Sequence, residues 1–180
     1  MIEHEYKYLL NKTEYERVYS ETQKRFGFAT TKIQTNYYYD DDVLSLNQCG
    51  TTVRIRKSGG DHKLQIKRHE KEENGCHISK EEQCIVDSVS ETIECSGFGT
   101  LKLYGSMETR RCSFAVCDGV RLELDISTYL GKTDYESEIE FKANADKRAA
   151  DLVLSLDLKE TSYMNKSQRF FMALKGDIFK

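Results

Sequence analysis

Apolar and polar side chains alternate with a period of two along much of this chain, the spacing of strands whose two faces meet different surroundings. Residues 2–10 set Glu3, Glu5 and Lys7 against Tyr6, Tyr8 and Leu10. Further strands are predicted at 33–39, 51–57, 62–69, 77–85, 106–116, 121–127 and 135–142, rich in Val, Ile, Tyr, Thr and Phe and divided by Gly or Asp turns. Helical signals are fewer. Thr13-x-x-Glu16 reads as a capping box opening a helix to about Phe26, Ser88-x-x-Glu91 as the start of a short helix, and 145–156 and 165–175 as C-terminal helices. The intervals leave little room for repeated βαβ crossovers, so the strands are expected to pair antiparallel in an α+β protein. A large antiparallel sheet either exposes its edges or closes on itself, and closure removes them.

Length and composition narrow the picture. A chain of 180 residues suits a single domain, 1–180, and no repeat, low-complexity tract or Pro/Gly/Ser-rich linker divides it. Charged residues make up 32% of the chain, 27 Lys and Arg against 30 Asp and Glu, so many charges must lie on strands and helices. A net charge of −3 argues against a nucleic-acid polymer held by bulk positive charge. The charged opening Met1–Lys7 lacks the apolar run of a signal peptide, and no stretch approaches the length of a membrane span. The expected location is therefore cytoplasmic, with no membrane partner. Six cysteines, Cys49, Cys76, Cys84, Cys95, Cys112 and Cys117, have irregular spacings and no C-x-x-C pair, and are read as reduced, mostly small packing residues.

Strand parity then assigns the charges to walls. Glu3, Glu5 and Lys7 share one face, as do Arg54 with Arg56, Lys63 and Gln65 with Lys67, Lys80 with Glu82, Thr109 with Arg111, Glu123 with Asp125, and Glu136 and Glu138 with Glu140. The opposite parity is largely apolar: Val53, Ile55, Leu64, Ile66, Cys112, Phe114, Leu122, Leu124, Ile139 and Phe141. A two-residue Gly59-Gly60 turn sets Arg56 opposite Lys63 and Arg54 opposite Gln65. For Asp118-Gly119 a three-residue loop, 118–120, is expected, pairing Ser113 with Asp125 and Ala115 with Glu123.

A sheet with one solvated face produces the same alternation. Yet like charges side by side destabilise a sheet, so Arg54, Arg56, Lys63 and Lys67 together ask for a polyanion, and Glu3, Glu5, Glu138 and Glu140 for cations. Carboxylates at alternate strand positions suit Mg²⁺ or Mn²⁺. No P-loop, H-E-x-x-H or nucleophile elbow is present.

These residues resemble the CYTH domain proteins, or triphosphate tunnel metalloenzymes. Glu3-His4-Glu5-Tyr6-Lys7 matches the family's E-x-E-x-K signature, Arg54-Ile55-Arg56 its basic pair, Leu64-Gln65-Ile66-Lys67 its L-T-x-K strand, Arg111 a later basic position, Glu123-Leu124-Asp125 its E-x-D element and Glu138-Ile139-Glu140 its closing E-x-E. The resemblance implies a closed eight-stranded antiparallel β-barrel with a polar interior and helices packed outside, hydrolysing a small triphosphate with Mg²⁺ or Mn²⁺. It implies metal binding by Glu3, Glu5, Glu138, Glu140 and Asp125, and phosphate binding by Lys7, Arg54, Arg56, Lys67 and Arg111, with Lys63 and Lys80 as lesser candidates. Lys7, Glu123, Asp125 and Glu82 are the candidates for orienting or deprotonating the attacking water. Cys84 stands where a further carboxylate is common.

The family's substrates include tripolyphosphate, thiamine triphosphate and nucleoside triphosphates, and some members are adenylate cyclases. With no obvious aromatic base pocket on the inward parity, tripolyphosphate is preferred, although Tyr37, Tyr38 or Tyr39 offers a ring for stacking. A non-catalytic polyphosphate or nucleotide binder is the alternative from another class; retention of both E-x-E pairs argues against it. His4, His62, His69 and His77 are expected to be solvated or packed.

Overall fold

The computed structural model describes residues 1–159 and 164–178. The strands are β1 (Ile2–Leu10), β2 (Thr30–Asp40), β3 (Thr51–Ser58), β4 (Asp61–Glu73), β5 (Cys76–Val86), β6 (Thr92–Cys95), β7 (Gly99–Cys117), β8 (Val120–Tyr129) and β9 (Lys132–Phe141). The helices are α1 (Lys12–Phe26), α2 (Ser45–Gln48), α3 (Asp146–Ser155) and α4 (Lys166–Ile178). All strand pairs are antiparallel in the order β2-β3-β4-β5-β1-β9-β8-β7-β6, and a further β2–β7 pairing closes eight strands into a barrel with β6 as an extra strand on β7. The fold is the expected α+β barrel.

Its apolar core lies mainly outside the barrel wall. Phe114, Leu122, Leu124 and Ile139, of outward parity, are sealed beneath Val18 of α1 and Ala149 and Leu152 of α3. Tyr39, Val53, Ile55 and Leu101 form a second cluster with Leu46 of α2. Burying the outward parity in this way leaves the inward parity free to be polar.

Helix α4 is the exception to helices packing only on the outside. Its Phe170, Phe171 and Ala173 pack on Tyr38, Met107 and Tyr129, which share parity with inward-facing Asn36, Thr109 and Ser127, so α4 stoppers one end of the barrel. Gly105 permits the close fit: its φ is +142°, and a Cβ there would lie 3.0 Å from Phe170 Cζ. Gly105→Ala is expected to cost about 1–3 kcal/mol through strain and overpacking, measurable as a lower denaturation midpoint with an unchanged m-value.

Several local expectations are corrected. The cap of α1 is Asn11, whose Oδ1 accepts from Glu14 N at 2.9 Å while Glu14 Oε2 accepts from Asn11 N at 2.8 Å; Thr13 lies inside the first turn. Ser88–Glu91 forms no helix, because its carbonyls are recruited by the barrel: Ser90 O accepts from the Tyr39 hydroxyl and Glu91 O from Leu103 N. The Gly59-Gly60 register is as expected. The 118–120 loop is not, since Cys117 pairs with Val120 across a two-residue Asp118-Gly119 turn and the extra residue is Val116, bulged out of β7. Ser113 therefore faces Glu123, and Arg111 faces Asp125. The shift from the expected register is an even number of residues, so every side chain keeps its face. All six cysteines are free; Cys76, Cys95 and Cys112 are buried as packing residues, whereas Cys49, Cys84 and Cys117 are exposed. Among the described residues, no helix is long and apolar enough to cross a membrane.

Candidate active site

The barrel encloses a cavity lined by Glu3, Glu5 and Lys7 of β1, Arg54 and Arg56 of β3, Lys67 of β4, Glu81 of β5, Arg111 of β7, and Glu138 and Glu140 of β9. Nine of these ten are residues singled out by strand parity. The pairing explains their convergence: Glu5 lies opposite Glu140 and Lys7 opposite Glu138, while Arg54 and Arg56 lie opposite Gln65 and Lys63. Acids thus concentrate on β1 and β9, with bases on β3 and β4.

The remaining candidates lie elsewhere. Asp125 and Glu123 point inward but are sealed beneath the cavity: Asp125 accepts from Arg111 Nε at 2.9 Å and Nη2 at 2.6 Å and lies 2.9 Å from Lys166 Nζ, while Glu123 accepts from the Ser113 hydroxyl. Lys63 shares the face of Arg56 without lining the cavity. The parity assigned to β5 is corrected. Lys80 and Glu82 lie on the outer surface, 3.0 Å from each other, and Glu82 also pairs with Arg68; the inward residues are His77, Ser79 and Glu81. The cause is a bulge in β4 between His69 and Lys71, which moves Lys67 opposite Glu81. Without it, the register set by the Asn74-Gly75 turn would bring Lys67 opposite Glu82. An odd shift exchanges faces, and Cys84 is thereby exposed on the outside.

Parity also missed α4. Asn165, Lys166, Ser167 and Gln168 line the cavity, and the Lys166 ammonium reaches Glu138 at 2.8 Å, Asp125 at 2.9 Å and Glu136 at 3.2 Å. The Asn165-x-x-Gln168 capping box that opens this helix was legible, with Asn165 Oδ1 accepting from Gln168 N and Gln168 Oε1 from Asn165 N, both at 2.9 Å. Nothing local in it says that the helix enters the barrel. His69 and His77 also line the cavity, their rings 6.0 Å apart, contrary to the expectation that they are merely solvated or packed.

The gathered charges shift one another. Burial opposes ionisation of Glu5, but Lys7 at 3.0 Å and Lys67 at 2.6 Å outweigh it and bring its carboxyl down to about 2. Burial likewise opposes the charge of Glu138, which Lys166 and Arg111 hold well below the usual carboxylate range. Arg56 lacks such relief: burial, then the like charges of Arg54 and Arg111, lower it to about 9, and its Nε donates to neutral Asn36 Oδ1. Glu140 is the acidic counterpart. Burial raises its carboxyl to about 7; Arg111 offsets this in part, while Glu138, Glu123 and Glu5 add to it.

The donor set suits a hard divalent ion. Among the described residues, no three carboxylates, imidazoles or thiols already converge as a metal-holding group, because Glu3, Glu5 and Glu138 are drawn onto Lys67, Lys7, Arg111 and Lys166. Glu140 supplies the test of fit: a carboxylate whose charge is disfavoured by burial, and further by Glu138, Glu123 and Glu5, is the group a cation would relieve. In metal-free protein it is expected to titrate near pH 7. The folded state then holds an extra proton between about 4.5 and 7, so this group's contribution to stability falls as pH rises through that window. A ¹³C carboxyl titration checks the assignment, with Glu140→Gln removing the transition; an endpoint below about 5 would contradict it.

A closed antiparallel tunnel with acids concentrated on β1 and β9 and bases on β3 and β4 defines a class of protein built to hold a charged ligand within a sheet. The family model of the CYTH domain matches residues 1–170, and the chain belongs to that family. It is 27% identical over 190 residues to the "Putative triphosphatase YjbK" of Bacillus subtilis, with 94% of each chain covered. Among solved structures it is similar to a "putative adenylate cyclase" from Bacillus halodurans (24% identity, TM-score 0.70, covering 93% of this chain and 96% of that one). It is also similar to HpAC1 from Hippeastrum, described as a "putative adenylyl cyclase" with a dominant triphosphatase activity (19% identity, TM-score 0.71, covering 97% and 96%).

Proposed function

We propose that this chain hydrolyses a small triphosphate, inorganic tripolyphosphate foremost, with Mg²⁺ or Mn²⁺. The observation that carries the reading is the separation of Arg54 and Arg56 on β3 from Glu3, Glu5, Glu138 and Glu140 on β1 and β9 around one cavity. That arrangement offers a polyphosphate cations on one side and metal-holding carboxylates on the other. The family relationship and the named activity of YjbK point the same way.

Glu3, Glu5, Glu138 and Glu140 would hold the metal, which supplies neutralisation of phosphate charge and activation of water. Arg54 and Arg56 bind phosphate oxygens through planar N–H forks, and Arg54 is held ready by donation to Gln65 Oε1 at 2.9 Å. Lys67 and Arg111 join them once ligand oxygens and metal compete for the carboxylates they now bind. Of the four residues considered for orienting the attacking water, Lys7 lines the cavity, whereas Glu123 and Asp125 are sealed and Glu82 lies outside. Attack in line with the departing phosphate needs no covalent enzyme intermediate.

Tripolyphosphate is favoured over a nucleotide because, among the described residues, no tyrosine lines the cavity: Tyr38 is buried with α4, and Tyr37 and Tyr39 pack in the cluster around Leu46. The test is phosphate release from tripolyphosphate, thiamine triphosphate and ATP with Mg²⁺, Mn²⁺ or EDTA. Metal-dependent turnover greatest with tripolyphosphate is expected. Cyclic AMP as the main product from ATP, or no turnover of any of the three, would overturn the reading.

A further inference from the structure

The hydroxyl of Ser167 is a polar group without an evident use. The residue is 3% exposed, its Oγ has no hydrogen-bond partner among the described residues, and it lines the cavity. An unpartnered buried hydroxyl is a standing cost that a ligand oxygen would remove. Ser167 is also the second residue of α4, and the first backbone amides of a helix have no carbonyl of their own helix to bind. The Asn165 side chain occupies the amide of Gln168, and Arg169 N closes the first helical turn onto Asn165 O at 3.0 Å. Among the described residues the amides of Lys166 and Ser167 have no acceptor, and they stand at the end of a thirteen-residue helix, where the dipole favours an anion.

The Lys166 ammonium beside Ser167 is held by Glu138, Asp125 and Glu136. Arg54 lies opposite Tyr38 across the β2–β3 pair, and Tyr38 is the side chain on which Phe170 and Phe171 of α4 pack. The first turn of α4 therefore meets the same end of the cavity as the two β3 arginines. The stopper helix also closes that end, so a chain of phosphates entering the barrel must finish there.

We propose that the Ser167 hydroxyl and the first amides of α4 form an end wall that binds the terminal phosphoryl group of the substrate, making the enzyme a reader of phosphate chain ends. The inference deepens the triphosphate reading and rests on it. A terminal phosphoryl group offers three oxygens to converging donors, whereas a phosphate within a chain or ring offers two.

The experiment is calorimetric titration of the full chain with Mg²⁺ and two probes: the bis-methylene analogue of tripolyphosphate, which keeps both ends and resists hydrolysis, and cyclic trimetaphosphate, which has no end. Wild-type protein is expected to bind the linear probe more tightly. Ser167→Ala is expected to weaken the linear probe about tenfold or more, as for a hydrogen bond to a charged group, leaving trimetaphosphate affinity unchanged and the melting temperature equal or higher. Ser167→Gly gives the same reading should the alanine variant fold poorly. Equal affinity of both variants and wild-type for the linear probe, or equal losses for both probes, would overturn the end wall while leaving the function standing. Failure of wild-type protein to bind either probe would overturn the function and this inference with it.

Discussion

Replacing Arg56 with methionine is expected to lower kcat/KM for tripolyphosphate by about a hundredfold to a thousandfold, the cost of removing one preorganised donor from a developing phosphate charge. The same change is expected to leave the melting temperature equal or raise it. Arg56 is charged at neutral pH despite burial and the like charges of Arg54 and Arg111, which bring its guanidinium down to about 9. Because its proton is less favoured in the folded state than in the unfolded one, the penalty is fully present below pH 9 and is relieved as pH rises towards the ordinary value of 12.5. Methionine removes that penalty at pH 7 and keeps most of the packing volume. The two readouts must therefore move apart. A variant losing both activity and several degrees of melting temperature would make Arg56 a structural residue, and one retaining activity within about threefold would remove it from the phosphate site.

Arg169→Met is the opposite case, in which stability suffers first. Arg169 is 7% exposed; it donates to Glu136 through Nη2, to Asp134 at 2.8 Å through Nε and to the Met164 carbonyl at 2.7 Å through Nη1. Glu136 is 2% exposed and, among the described residues, would keep only Lys166, at 3.2 Å, as a cationic partner. Breaking a buried ion pair by removing one member costs about 3–5 kcal/mol, because the surviving charge is left uncompensated. For a chain of this size that corresponds to a fall in melting temperature of roughly 6–20 °C. Calorimetric melts at neutral pH check it, and a fall of less than about 2 °C would show that the pair does not hold α4 in the barrel. Loss of α4 would also open the stoppered end of the cavity.

Much of the barrel was legible because strand alternation is local. The pairs Glu3 with Glu5, Arg54 with Arg56 and Glu138 with Glu140 share faces by backbone geometry alone, and all six side chains line one cavity. The Gly59-Gly60 turn was readable for the same reason: two residues leave one register. The β5 wall was misread because one bulged residue in β4 changes parity without a composition signal, placing Glu81 inside and Lys80 and Glu82 outside. Around Asp118-Gly119 the bulge at Val116 also went unseen, yet the even shift left the faces intact.

The sequence by itself determined eight of the nine strands, missing only the short β6, the clustering of acids on the first and last strands with bases on the middle ones, and a closed antiparallel sheet as the natural outcome; periods of two and short turns are set within a few residues of chain. Tertiary structure alone decided that α4 enters the barrel rather than lying on it, since that depends on Phe170 and Phe171 meeting Tyr38, Met107 and Tyr129 from distant strands. It also decided the state of each charge. Asp125 is neutralised by Arg111 and Lys166 beneath the cavity, while Glu140, two residues from Glu138 on the same strand, is raised to about 7 by burial that Arg111, 3.6 Å away, offsets only in part. Electrostatic energy depends on distance through the folded molecule rather than along the chain, so the carboxylates alike in sequence became unlike only when the barrel closed.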